Sequence, residues 1–186
     1  MTPLDQECVE RVLAGEPGYF EELVRRYTRF GGAIAYGVIG DFQQAEDVLQ
    51  EAFFKAFRAL PTLREHTKFK VWFAGIVRSQ ALDALRKRRS YRRREVGGGD
   101  FEELASRSLV SSAIPEDERQ SLSEERDEIL KAIAELPDED RLMIVLKALE
   151  NLSYKEIADV AGVTVAAVES RLFRARRALR EKLPRR

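Results

Sequence analysis

Between Glu95 and Glu125 the chain reads EVGGGDFEELASRSLVSSAIPEDERQSLSEE, with three consecutive glycines, recurrent serines, one proline and many acids. This is the composition of a flexible connector, and its position constrains the fold more than any other feature. In a chain of 186 residues it leaves room only for two modest folded units, over residues 1–95 and 124–186, with 96–123 as an acidic tether between them. Units of that size lie at the lower end of what a hydrophobic core holds together on its own. Each must therefore use its apolar faces economically.

Both units read as helical. In AEDVLQEAFFKAFRAL, Ala45 to Leu60, the residues Val48, Ala52, Ala56 and Leu60 recur at helical spacing, and Leu49, Phe53 and Phe57 widen the stripe. Asp41 stands where a cap is needed, and Pro61 closes the element. Glu46, Asp47 and Glu51 lie early while Lys55 and Arg58 lie late, as the helix dipole favours. Upstream, Phe20, Leu23, Val24 and Tyr27 repeat the spacing until the pattern meets Gly31 and Gly32. Downstream, FKVWFAGIVRSQALDALRKRR, Phe69 to Arg89, is a long helix with Trp72, Phe73, Ile76 and Val77 on its apolar face. Beyond the tether, Ile129, Ile133 and Leu136 mark one helix, and Pro137 opens another through DEDRLMIVLKAL. No segment alternates persuasively enough for a strand, and there is no internal repeat. The expectation is an all-α protein of two small helical domains joined by a flexible acidic linker.

The C-terminal unit carries a further pattern. Ser153 and Glu156 form an S-x-x-E capping box for a short helix that turns Ile157 and Val160 inward, and Gly162 suits the left-handed turn that ends it. Thr164 can cap the next helix, in which Val165, Val168, Leu172, Ala175 and Leu179 recur at three and four residues. Two helices joined through a glycine in this way predict a helix-turn-helix. With the apolar face assigned to packing, Ala166, Ala167, Glu169, Ser170, Phe173, Arg174 and Arg177 remain outward, with Arg171 adding charge. Such a helix suits the major groove, where arginine grips guanine with two hydrogen bonds and small residues let the backbone approach. A solvated basic face on an ordinary helical hairpin is the competing reading.

Lys and Arg number 32 and Asp and Glu also 32, so the net charge is zero, which by itself argues against a nucleic-acid binder. The distribution reverses that. Bases crowd into RKRRSYRRR, Arg86 to Arg94, and into Arg171 to Arg186, whereas acids crowd between Asp100 and Glu128. Lys68, Lys70, Arg78, Arg86, Lys87 and Arg88 interleave with Phe69, Trp72 and Phe73, a mixture that suits single-stranded nucleic acid, although the rings serve equally well as core. The polar side of AEDVLQEAFFKA, with Glu46, Asp47, Gln50 and Glu51, fits either a basic partner protein or plain solvent. The acidic tether is expected to cover the basic surfaces when the protein is free.

Other classes are disfavoured. The only cysteine, Cys8, and the only histidine, His66, are far apart and supply neither a metal site nor a nucleophilic pair. An enzyme would need clustered carboxylates or a histidine base, so no catalytic residue, metal or cofactor is assigned. There is no run of roughly 18 apolar residues for a membrane span and no secretory leader, so no membrane insertion and a cytoplasmic location are expected.

Taken in order, these segments resemble the extracytoplasmic-function (group IV) sigma factors of bacterial RNA polymerase. AEDVLQEAFFKAFRAL is similar to that family's polymerase-binding helix, FKVWFAGIVRSQALDALRKRR to its promoter-melting segment, and LPDEDRLMIVL with LSYKEIADVAGVTVAAVESRLFRARRAL to its promoter-reading domain. The resemblance implies that Glu46, Asp47, Gln50, Glu51 and Phe54 dock on the clamp helices of the largest subunit of core RNA polymerase. It implies that Lys68, Phe69, Lys70, Trp72, Arg78, Ser79, Arg86, Lys87 and Arg88 capture the downstream promoter element, roughly at −10, as melted single strand with one base extruded. Thr164, Ala166, Ala167, Glu169, Ser170, Arg171, Phe173, Arg174 and Arg177 would read the upstream element, roughly at −35, as duplex DNA. An anti-sigma factor is a further implied partner, and the tether would thread the polymerase RNA channel. Ser79 replaces the family's usual asparagine beside the extruded base, and Glu169 stands where a base is common, so an unusual upstream preference is expected. A stand-alone helix-turn-helix regulator, or a polymerase-binding relative without promoter reading, are the alternatives.

Overall fold

The computed structural model describes residues 3–94, 128–148 and 150–183, so the acidic tether of residues 96–123, and its expected masking role, lie outside the described residues. All regular structure among the described residues is helical. The first unit contains α1 (Asp5–Leu13), α2 (Tyr19–Ile39), α3 (Phe42–Ala59), two 3-10 turns (Leu60–Thr62 and His66–Lys68) and α4 (Phe69–Arg94). The second contains α5 (residues 128–134), α6 (Asp138–Ala148), α7 (Tyr154–Ala161) and α8 (Val165–Lys182).

Local chemistry sets these boundaries as expected at several points. The Asp41 carboxylate accepts from the Gln44 amide at 2.9 Å and opens α3, which ends at Ala59 ahead of Pro61. Gly40 closes α2 in the left-handed region at φ 76°. One boundary differs from the sequence reading. The helix does not stop at Gly31 and Gly32 but runs through them to Ile39. A Cβ on Gly31 would meet Leu49 Cδ1 at 2.5 Å and Phe73 at 3.1 Å, so this glycine makes room for neighbouring side chains rather than breaking the helix. The N-terminal α1 is an addition that the sequence reading did not identify. It buries Cys8 and Val9 completely, and its Asp5 accepts hydrogen bonds from Arg26 and Tyr27 of α2. The Cys8 thiol, whose pKa is pushed up by burial, is a packing residue.

The two units share one apolar core. Along its C-terminal half, α2 buries Phe30, Ala33 to Tyr36, Val38 and Ile39, because α3 and α4 cover one side and α6 the other. Helix α6 is correspondingly enclosed from Asp140 through Leu146. Side chains such as Leu142, Ile144 and Leu146 each gain on the order of 1.5–3 kcal/mol from such burial. Arg141, only 3% exposed, crosses the junction. Its Nε donates to the Gly37 carbonyl at 3.1 Å and Nη2 to the Val38 carbonyl at 2.8 Å, at the negative end of α2. The same guanidinium donates to the carbonyls of Ala134 and Leu136 and to the Asp138 carboxylate. Tyr36 adds a bond from its hydroxyl to the Leu130 carbonyl at 3.2 Å. The two helical groups are thus docked on each other across a common core.

Candidate nucleic-acid interface

The helix-turn-helix is built from its caps outward. Ser153 Oγ accepts from the Glu156 amide at 3.3 Å while the Glu156 carboxylate accepts from the Ser153 amide at 2.8 Å, forming a complete capping box at the start of α7. The Ser153 hydroxyl also donates to that carboxylate at 2.7 Å, and this bond, followed by the one from the Ser153 amide, holds the Glu156 carboxyl below the usual range. Gly162 then takes φ 64°, and Thr164 Oγ1 accepts from the Ala167 amide at 3.2 Å to start α8. With both ends set, α8 buries Val168, Leu172 and Ala175. Val165, expected on the apolar face, is 42% exposed, because it occupies the first helical position beyond the reach of α6 and α7.

The outer face of α8 presents Thr164, Ala166, Glu169, Ser170, Phe173, Arg174 and Arg177, with Ala167 and Arg171 half-buried at its margins. Phe173 is 69% exposed, a large ring left open to solvent among the described residues. The cations are held in order by acids of the same unit. Arg171 pairs with Glu139 at 2.6 Å, Arg177 with Glu181 at 3.1 Å, and Lys182 with Glu135. Arg174 reaches across to Asp140 on α6, which is 5% exposed and accepts two hydrogen bonds from it. Sequence reading missed Asp140 and Arg141. Their position immediately before the apolar run Leu142 to Leu146 was the available sign that both are buried.

Along α4 and the turn before it, Lys68, Ser79, Arg86 and Lys87 are exposed, and Lys70, Trp72, Arg78 and Arg88 are half-buried. Lys68 pairs with Glu65 at 2.7 Å and Arg86 with Asp83 at 3.0 Å. The Lys70 ammonium lies 5.0 Å above the Phe30 ring. Phe69 requires a correction. Its ring is fully buried among Tyr27, Trp72 and Phe73, with centroids 5.3 to 5.8 Å away, so it supports the helix from beneath and has no free face for a base. Trp72 packs against it at 5.8 Å and keeps one side toward solvent.

A third face lies on α3. Val48, Leu49, Ala52 and Ala56 point into the core, which turns Glu46, Asp47, Gln50 and Glu51 outward together with Phe54, 64% exposed. Phe54 and Glu51 border a shallow cleft shared with Gln80 of α4. The helix-turn-helix leans on α4. A Cβ at Gly162 would stand 3.4 Å from the Arg78 guanidinium, and Lys70 contributes to holding the Glu156 carboxyl low. Arg78 is therefore partly covered where α7 ends, while Lys70 acts on Glu156 through its charge. Among the described residues there is no cluster of His, Cys, Asp and Glu able to hold a metal ion, and no helix long and apolar enough to cross a membrane.

Comparison with known proteins matches both units. Residues 23–91 match the family described as Sigma-70 region 2, and residues 126–179 match Sigma-70, region 4. The ECF RNA polymerase sigma factor SigW of Bacillus subtilis (strain 168) is 32% identical over 185 residues, 98% of each chain. The ECF RNA polymerase sigma-E factor of Escherichia coli (strain K12) is 36% identical over 186 residues, 96% of this chain and 94% of that one. Among solved structures, CnrH in complex with the cytosolic domain of CnrY is similar at a TM-score of 0.64 and 25% identity, with 95% of both chains covered. The sigma factor RpoE in complex with the anti-sigma factor NepR from Bartonella quintana reaches 0.69 at 22% identity, covering 87% of this chain and 94% of that one, which speaks to the fold.

Proposed function

Since this chain belongs to the extracytoplasmic-function sigma factors of RNA polymerase, directing that enzyme to promoters, we propose how its three exposed faces divide the work. The face of α3 with Glu46, Asp47, Gln50, Glu51 and Phe54 docks on the clamp helices of core polymerase. The basic segment from Lys68 through Arg88 holds the melted downstream element, with Trp72 offering the ring and Ser79 the hydroxyl beside an extruded base. The outer face of α8 reads the upstream element in the major groove. Residues 1–95 and 124–186 act as separate reading heads, and the tether between them raises the effective concentration of the second once the first is bound. Melting draws on capture of exposed bases, so the chain carries no catalytic residues of its own, and it works in the cytoplasm where polymerase is. An anti-sigma factor is a further partner, as NepR is in its complex with RpoE.

The observation that carries this reading is Phe54, a large ring left 64% exposed on an acidic helix face of the region-2 unit. An apolar ring of that exposure beside several carboxylates fits a partner surface with basic and apolar character. Relatives are matched along nearly the whole chain, so a helix-turn-helix regulator acting alone is not favoured. Run-off transcription with core polymerase on a random promoter library is the test. Transcripts with a defined start, lost on Phe54→Ala, are expected; initiation that never depends on the added chain would overturn the reading.

A further inference from the structure

Asp140 sits in the first turn of α6, 5% exposed, with both carboxylate oxygens turned toward α8. Arg174 Nη2 donates to Oδ1 at 2.8 Å and Nε donates to Oδ2 at 3.2 Å. This is the side-on bidentate pairing in which one edge of a planar guanidinium is matched to one carboxylate. The two groups differ sharply in exposure. The Arg174 side chain is 57% exposed and that of Asp140 only 7%. The pair therefore anchors the arginine from behind and does not cover it. With the Nε and Nη2 edge taken, the other edge, formed by Nη1 and the second Nη2 hydrogen, belongs to a side chain that is still more than half exposed. That end-on edge is a donor pair of the kind that matches guanine O6 and N7.

We infer that Asp140 is a positioning residue for promoter reading, which fixes the guanidinium of Arg174 so that its end-on edge specifies one base of the upstream element. The inference rests on the reading of α8 as the helix that enters the major groove. Its physical basis is rigidity. An arginine free on the surface loses rotamer entropy when it binds and can satisfy itself on any nearby phosphate, whereas one whose plane is already set offers its donors in a single direction. Among the described residues, Arg171 pairs with Glu139 and Arg177 with Glu181, both exposed carboxylates and not a buried anchor of this kind. Asp140 also lies in the first turn of a helix whose dipole favours its negative charge, so the anchor persists without DNA.

The test uses holoenzyme assembled from core polymerase and the full chain, on duplexes selected from a library randomised across the upstream element. Arg174→Ala identifies the base position it reads. Asp140→Asn removes the charge at nearly constant shape, and is expected to lower discrimination at that same position by about three- to tenfold, as loss of one prearranged side chain implies, with other positions unchanged. The double variant should be no worse than Arg174→Ala. Discrimination preserved in Asp140→Asn, a loss spread evenly over all positions, or additive losses in the double variant would each overturn the proposal. If Arg174→Ala itself alters no position, the reading of α8 at that residue fails first, and the positioning role with it. Nitrogen-15 relaxation of the Arg174 Nε–H in the wild-type chain needs no variant to fold: a rigid signal is expected, and a freely mobile one excludes an anchored guanidinium.

Discussion

A Cβ placed on Gly37 would come within 3.0 Å of the Cα of Leu142, so α2 and α6 cross backbone against backbone at the junction of the two units. Nothing larger than glycine fits there without pushing the helices apart. The junction also places Gly162, at the end of α7, beside the Arg78 guanidinium, so separating the units uncovers that part of the downstream-element surface.

Gly37→Leu tests this link. The substitution sits in the interior of α2 and replaces glycine, about 0.8–1 kcal/mol poorer than alanine in a helix, by a good helix former, so the first unit keeps its helix while the contact with α6 is lost. Small-angle scattering should show a larger radius of gyration, and binding to single-stranded DNA without polymerase should strengthen. An unchanged radius with native helicity would show that the two units are not held together at this crossing.

Arg141→Met addresses the clasp itself. All five guanidinium N–H groups have acceptors, two on α2 and three in the second unit, and methionine leaves the buried carbonyls without donors. The expected loss in urea unfolding is on the order of 3–5 kcal/mol. Arg141→Lys should recover only a minor part, since an ammonium has three donors and cannot span the same acceptors. Full recovery by lysine would mean that charge alone, not the fork, does the holding.

Tyr27 gives an alkaline limb to stability. Burial and the hydrogen bond it donates to Asp5 both raise its pKa well above the ordinary tyrosine value. The folded chain therefore keeps the proton after the unfolded chain has released it. The contribution is complete below about pH 10 and declines as pH rises beyond that. Comparing urea midpoints of wild type and Tyr27→Phe from about pH 8 to 11 should show their difference shrinking at the upper end. A difference independent of pH would contradict this assignment.

Asp47→Ala and Phe54→Ala, both on the outer face of α3, should leave unfolding nearly unchanged. In fluorescence titrations with core polymerase, Phe54→Ala is expected to cost about 2 kcal/mol or more if the ring is a central anchor. Equal affinity for wild type and both variants would move the polymerase contact elsewhere on the chain.

Several of these features are legible in the sequence alone. The apolar spacing of α3, the Asp41 cap, the Ser153 box, the Gly162 turn and the Thr164 cap each depend on residues within one turn of each other. The short α1 was overlooked because Cys8, Val9 and Val12 make a stripe too brief to stand out. Gly31 and Gly32 looked like a stop because glycine is a poor helix former, and only the side chains of Leu49 and Phe73 explain why the helix needs them. For Phe69 and Trp72, neighbours in one aromatic run, spacing could not separate the enclosed ring from the half-exposed one.

By itself the sequence determined the helices, their caps and the order of the reading segments, because hydrogen bonding and apolar periodicity act over three or four residues. What the tertiary structure decided was which charges are at liberty. Arg141 and Arg174 look alike as letters in a basic, helical chain, yet one is enclosed at the end of α2 and the other is anchored with an edge in solvent. That difference comes from packing between residues more than 30 positions apart, and no local periodicity encodes it.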